Sequence, residues 1–95
     1  MNHTTLTACI AEVSAVRYTP AGLPALDLML EHSEEQTEAG HPRRVNLKIR
    51  AVALGNQAER LARQAVGSQW RFEGFLASPR QGRSVVLHIQ EFQQD

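Results

Sequence analysis

Histidine and cysteine are the residue types of this chain best suited to binding a metal or to acid–base and nucleophilic catalysis. They are His3, His32, His41, His88 and Cys9. No spacing among the histidines puts two of them on one face of a helix, as a metal site on a helix needs. A single cysteine excludes an internal disulfide and a zinc site built on cysteine pairs. We therefore predict neither a metal nor another cofactor.

Motifs for other kinds of catalysis are also missing from the sequence. No serine lies in a glycine-flanked nucleophile elbow, and no local motif supplies Cys9 with a base. The 6 glycines are scattered along the chain, and none precedes a Lys and a Ser or Thr in the order of a phosphate-binding loop. The sequence therefore predicts a protein that is not an enzyme.

Charged residues are distributed unevenly, although 10 basic and 10 acidic residues give a formal net charge of zero. One short segment contains only basic charges, those of Arg43, Arg44, Lys48 and Arg50. The segment before it is acidic, with Glu31, Glu34, Glu35 and Glu38. The bases could form a surface that follows a phosphate backbone, with affinity that falls as salt rises. Alternatively, they are solvated and pair with the acidic segment, and composition alone leaves both readings open.

Alternation of apolar and polar residues predicts the strands that position these charges. The predicted strands are Leu6–Val13, Leu26–Leu30, Val45–Arg50, Gln69–Leu76 and Ser84–Phe92. A bulge near Ala11 and Glu12 would keep Val13 on the core side of the first strand, and Gly74 marks a bulge in the fourth. In the fifth strand, we expect Leu87 on one face and His88 and Phe92 on the other.

The connections between these strands complete the pattern. Proline and glycine predict a turn over Arg17–Pro24, and the lack of periodicity in His32–Arg44 predicts a long exposed loop. A helix of about three turns begins at Asn56, which could cap it, and stops at Gly67. A second short loop covers Ser78–Arg83.

This order, three strands, one helix and two strands, is typical of an all-β OB-fold, a five-stranded Greek-key barrel with one short helix between strands 3 and 4. Residues 1–95 have the size of a single domain. OB-folds bind ligands on the face of strands two and three, between two rim loops. Lys48 and Arg50 would lie outward on that face, beside Arg17, Arg80 and Arg83 of the loops. Tyr18 is the one aromatic residue in a rim loop, where it could stack on a base or close the barrel.

Apolar segments are too short for a membrane span, since the longest uninterrupted runs, Ala8–Ala11 and Ala51–Leu54, have only four residues. The start of the chain lacks the basic and apolar regions of a signal peptide. We therefore expect a cytoplasmic protein without membrane contact.

Several short segments resemble a known family in their order and spacing. They are Ala21–Pro24, Leu30–His32, Glu38–Gly40 before an arginine-rich strand, Val66–Ser68, Gly74-Phe75 and Val86–His88. Together they resemble primosomal replication protein N, the PriB family, over nearly the whole chain. The resemblance implies a homodimeric OB-fold, related to bacterial single-strand binding protein, which binds single-stranded DNA and restarts replication with the PriA helicase and primosome proteins such as DnaT.

Nucleic-acid-binding residues follow from the charge pattern and the resemblance together. They are Arg17, Tyr18, His41, Arg43, Arg44, Lys48, Arg50, Arg80 and Arg83. The chain departs from its better-studied relatives at His41 and Asn46, where those proteins carry aromatic residues. Less stacking predicts weaker and more salt-sensitive binding of single-stranded DNA. The alternative is a protein-interaction adaptor of the primosome that has kept the barrel and largely lost its affinity for DNA.

Overall fold

Strands form most of the protein. The computed structural model describes residues 1–80, 82 and 84–94, and Arg83 therefore lies outside the described residues. The elements are β1 (Thr4–Val13), β2 (Arg17–Tyr18), β3 (Pro24–Glu38), β4 (His41–Leu54), α1 (Asn56–Ala62), β5 (Gln69–Ala77) and β6 (Val86–Gln93).

The five long strands close into a barrel. β1 pairs with both β3 and β5, β5 pairs with β6, β6 runs parallel to β4, and β4 completes the ring by pairing with β3. Closure pairs the ring strands with neighbours on both sides over much of their length, but the part of β1 before Cys9 pairs only with β5. The predicted OB-fold is thus confirmed, with α1 between β4 and β5, the third and fourth of the long strands.

Alternate side chains of the strands fill the barrel. Leu26, Leu28 and Leu30 of β3 are at most 5% exposed, and Phe72 of β5 is fully buried. Leu61 of α1, also fully buried, belongs to the same core cluster. Burying one such side chain contributes about 1.5–3 kcal/mol, so this interior is the main source of the barrel's stability.

A bulge bends β1 where the sequence predicts it. The register of β1 with β3 shifts between Ile10 and Glu12, and Val13 then pairs with Leu28 on the core side of the sheet. Val13 lies at the rim, where it is 37% exposed. The extra residue lets one long strand follow the curvature of the barrel.

A second bulge lies between β5 and β6 and corrects the predicted face of Phe92. The register shifts between Glu73 and Gly74, so that Gln90 is an extra residue in β6. Because one extra residue reverses the alternation, Phe92 turns into the core, where it is 4% exposed. The prediction that it lies on the same face as His88 was wrong.

The long exposed loop predicted for His32–Arg44 was also wrong. β3 and β4 remain paired to their ends at Glu38 and His41, and Ala39 and Gly40 form the turn with φ of 51° and 81°. Positive φ at both central residues suits a tight hairpin turn. We call residues 33–49 the hairpin arm, since β3 pairs with β1 only as far as Glu31 and β4 with β6 only from Arg50. Residues 33–44 of the arm have little core to cover and therefore show no apolar alternation, which is why the sequence resembled a loop there.

Helix α1 is shorter than the sequence predicts. It spans 7 residues and ends at Ala62, and Gly55 rather than Asn56 occupies the position before its first turn, without a side-chain cap. Gly67 lies beyond the helix and donates a 2.7 Å hydrogen bond to the Ile10 carbonyl, which ties this segment to β1. Within the described residues, no helix is long and apolar enough to span a bilayer.

Candidate nucleic-acid interface

Strand register divides the predicted basic residues between the two faces of the β3–β4 hairpin. Residues paired directly across an antiparallel ladder point to the same face. Arg44, Lys48 and Arg50 share the outward face of the barrel and the hairpin arm. Arg43 and His41 alternate with them and point to the opposite face. The two sets therefore cannot contact one straight strand of nucleic acid together.

An open groove of about 690 Å³ lies on the outward face. Met29, Val52 and Leu54 contribute to an apolar floor, and Arg17 and Arg50 bring positive charge to it. The groove thus offers both an apolar surface and groups that attract anions, the two features that a single-stranded nucleic acid uses.

Arg17 does not enter the groove as a free cation. Its Nε and Nη2 donate hydrogen bonds of 2.7 and 3.0 Å to the two carboxylate oxygens of Asp27. The pair raises the pKa of Arg17, and the hydrogen bond from Arg17, helped by the charge of Arg50, lowers the pKa of Asp27. The segment that the sequence predicts as a simple turn contains β2, and its pairing with Ala25 holds Arg17 beside β3.

This pair predicts a pH dependence of stability. Because the folded state lowers the pKa of Asp27, the pair stabilises the protein above the unfolded pKa of about 3.9, and the effect is lost as pH falls through the lower folded value. The side chains of Arg17 and Asp27 are about half exposed, at 53% and 47%, so we expect the pair to contribute no more than about 1 kcal/mol to the free energy of unfolding. Urea unfolding should show wild type more stable than Asp27→Asn at pH 6, with the difference vanishing in acid. A difference that persists at pH 2 would contradict the assignment.

Acidic residues accompany the other cations of the outward face. Lys48 lies opposite Glu31, and Arg44 lies opposite Glu35. Arg50 lies opposite Met29, which carries no charge. The outward face therefore carries alternating positive and negative charges rather than a continuous basic stripe. Unlike Lys48 and Arg44, Arg50 has no acidic residue directly opposite it on β3.

The opposite face of the hairpin arm has its own network. Arg43 donates a 2.6 Å hydrogen bond to Glu38, and both side chains are largely exposed. The buried His32 contacts the Thr7 carbonyl at 2.6 Å and Glu34 at 3.1 Å, which fills the gap where β1 and β3 diverge. These contacts give a structural role to two of the four acids of the segment, Glu34 and Glu38.

Two further predicted residues, Tyr18 and Arg80, lie at the rim. Tyr18 is 69% exposed, on the opposite side of β2 from Arg17, and does not close the barrel. Arg80 is exposed in the turn after β5, next to Pro79, which lines the groove. The prediction for Arg83 falls outside the described residues.

Sequence reasoning missed an aromatic pair beside the groove. Phe75 of β5 and His88 of β6 stack with ring centroids 4.8 Å apart and an angle of 7° between their planes. His88 also lines the groove. The sequence did indicate the position of His88, because the alternation in β6 puts it on the other face from Leu87. It did not indicate the position of Phe75, because an aromatic residue next to the bulge at Gly74 resembles a core residue.

Comparison with known proteins gives this geometry a context. A family described as "Another single-strand binding protein family" matches residues 2–91. Replication restart protein PriB of Bordetella pertussis is 51% identical over 92 residues, which cover 96% of this chain and 86% of the relative.

Solved structures agree with the sequence comparison. The PriB structure from Ralstonia solanacearum is 35% identical, with a TM-score of 0.90 over 99% of this chain and 97% of that one. The single-stranded DNA binding protein of Thermus aquaticus is 28% identical with a TM-score of 0.77, over 98% of this chain and 49% of that one. A match over nearly all of its length, in both sequence and fold, shows that this chain belongs to the single-strand binding proteins and, among them, to the replication restart PriB family.

Proposed function

We propose that the protein is a non-catalytic accessory factor of replication restart that binds single-stranded DNA without sequence preference. The observation that carries the proposal is the groove on the outward face of β3 and β4, where Arg50 lies beside an apolar floor. Lys48 and Arg44 follow Arg50 along the same face of β4. This row of cations could track the phosphates while bases rest on the apolar floor.

The expected lack of sequence preference follows from the kinds of groups available. Phosphate contacts carry no sequence information, and apolar surfaces accept the flat face of any base. The acids opposite Lys48 and Arg44 offset part of the positive charge, so we expect weak binding at physiological salt. The family's role in replication would place the protein in the cytoplasm.

Titration of a fluorescently labelled oligo-dT tests this function. We expect saturable binding at about 50 mM salt and a steep loss of affinity towards about 200 mM, because counterions are released from the DNA. Double-stranded DNA of the same length serves as the comparison and should bind more weakly, since its bases cannot reach the apolar floor. Absence of saturable oligo-dT binding at low salt would reject the proposal.

A protein-interaction adaptor of the primosome is the second candidate, and the alternating charges of the outward face favour it. In this case the paired charges of the outward face serve protein contacts, and oligo-dT does not bind even at low salt. Partners such as the PriA helicase or DnaT would still bind. The two candidates thus differ in the same titration.

The hairpin arm is the part of the described chain best suited to partners. Its two strands pair with each other beyond the barrel, so their outer backbone edges can accept another strand. We propose that a second copy of the chain or a primosome protein binds there. Sedimentation should show a particle of twice the 10.6 kDa of one chain, and a monomer at micromolar concentration would contradict the homodimer.

A further inference from the structure

We infer that His88, whose imidazole packs on the ring of Phe75, is a stacking platform for one unpaired base in the groove. The inference rests on the proposed binding of single-stranded DNA and adds a base-binding position that neither the charge pattern nor the family resemblance indicates. It follows from the order of side chains across the outward face of the barrel.

Three neighbouring strands define that order. His88 of β6 lies directly opposite Phe75 of β5 on one side and beside Val52 of β4 on the other. Phe75 covers one face of the imidazole, with the two rings nearly parallel. Because the stack runs across the strands, the second face of the imidazole is directed towards β4 and the largely buried Val52, which lines the groove together with His88.

The groups around this space favour a base over a phosphate. Asp27 lies directly opposite Val52 with both carboxylate oxygens bound by Arg17, so this neutral pair does not attract a phosphate to the space above Val52. Arg50 lies two residues before Val52 on the same face of β4, about 6.5 Å away along the strand. A nucleotide whose base stacks on His88 can therefore direct its phosphate towards Arg50.

Contact with Phe75 restricts the orientation of the His88 imidazole. A histidine side chain standing alone on a sheet loses rotamer freedom when a base stacks on it, and this loss weakens binding. The existing stack with Phe75 has already restricted the imidazole. Both rings are half-buried rather than enclosed, so part of the pair remains accessible to a ligand.

Replacement of His88 tests the inference when binding is measured to oligo-dT and to an abasic oligonucleotide of the same length. Stacking of one base contributes about 1–3 kcal/mol, which is roughly a 5- to 150-fold change in affinity, so His88→Ala should weaken oligo-dT binding by a factor in that range. It should leave binding of the abasic strand and the salt dependence unchanged, since no phosphate contact is lost. His88→Phe should keep the affinity for oligo-dT within about twofold, because it restores a flat ring.

His3→Ala is the matched control, because His3 is an exposed histidine outside the groove, and it should leave both affinities unchanged. His88→Gln, which keeps a polar side chain of similar length without a ring, should behave like His88→Ala. The stacking role would be overturned if His88→Ala lost the same affinity for oligo-dT and for the abasic strand, or if it bound oligo-dT as tightly as wild type does. In either case, binding of oligo-dT by wild type would still uphold the proposed function. If wild type binds no oligo-dT, both the stacking role and the proposed function are rejected.

Discussion

The double variant Lys48→Ala/Arg50→Ala is expected to bind oligo-dT about 100-fold more weakly than wild type at low salt. Each charge-assisted contact to a phosphate contributes about 1.5 kcal/mol, at the low end because both side chains are exposed. Loss of two contacts should also reduce the slope of log K against log salt by about 1.4. Fluorescence anisotropy over a range of salt concentrations measures both quantities.

A second double variant controls for net charge. Arg43→Ala/Arg63→Ala removes the same total charge, from the opposite face of the hairpin arm and from the end of α1. It should change affinity by less than about threefold, because a general loss of charge acts only through screened, long-range attraction. Equal losses in the two double variants would mean that net charge, and not the outward face, controls binding.

The variant Gly74→Ala is expected to lower the stability of the barrel strongly, although it adds only one methyl group. A Cβ at this position would overlap the backbone carbonyl of His88 across the β5–β6 bulge. Backbone atoms cannot turn aside as a flexible side chain can, so the two strands must separate. We expect a loss of about 3 kcal/mol or more from a total of about 5–15 kcal/mol. Thermal unfolding followed by circular dichroism should show a decrease in Tm of at least about 12 °C.

Gly22→Ala provides the comparison for this variant. Gly22 has a φ of 87°, and no other atom lies within 4 Å of the added Cβ, so only backbone strain of about 1–2 kcal/mol opposes the change. Its Tm should fall clearly less than that of Gly74→Ala. If both variants melt at the same temperature, the close approach of β5 to β6 is not a determinant of stability.

The barrel could be predicted from the sequence because its signal is local. In β3, alternate leucines reach the core and the intervening residues face outward, and this pattern requires only that one face of the strand be buried. The bulge near Ala11 could be predicted for a similar reason, since the apolar residues change parity there. The order of the elements then restricts the topology, because a closed five-stranded ring with one helix has few arrangements.

The candidate site depended on contacts between distant residues. Adjacent Arg43 and Arg44 look equivalent in the sequence, but the hairpin register sends them to opposite faces, where only one can act with Arg50. Arg17 carries a charge in the sequence, and only folding shows that Asp27 binds it.

Composition and alternation thus determined the core, the barrel and the presence of a basic segment, because each depends on neighbours along the chain. The tertiary structure decided that the supposed loop is a hairpin arm, that Phe92 turns inward, and that His88 stacks on Phe75 beside the groove. These features depend on strand register and bulges, where a shift of one residue moves a side chain to the other face. The hydrogen-bonded pairing of β3 with β4 and of β5 with β6 sets that register.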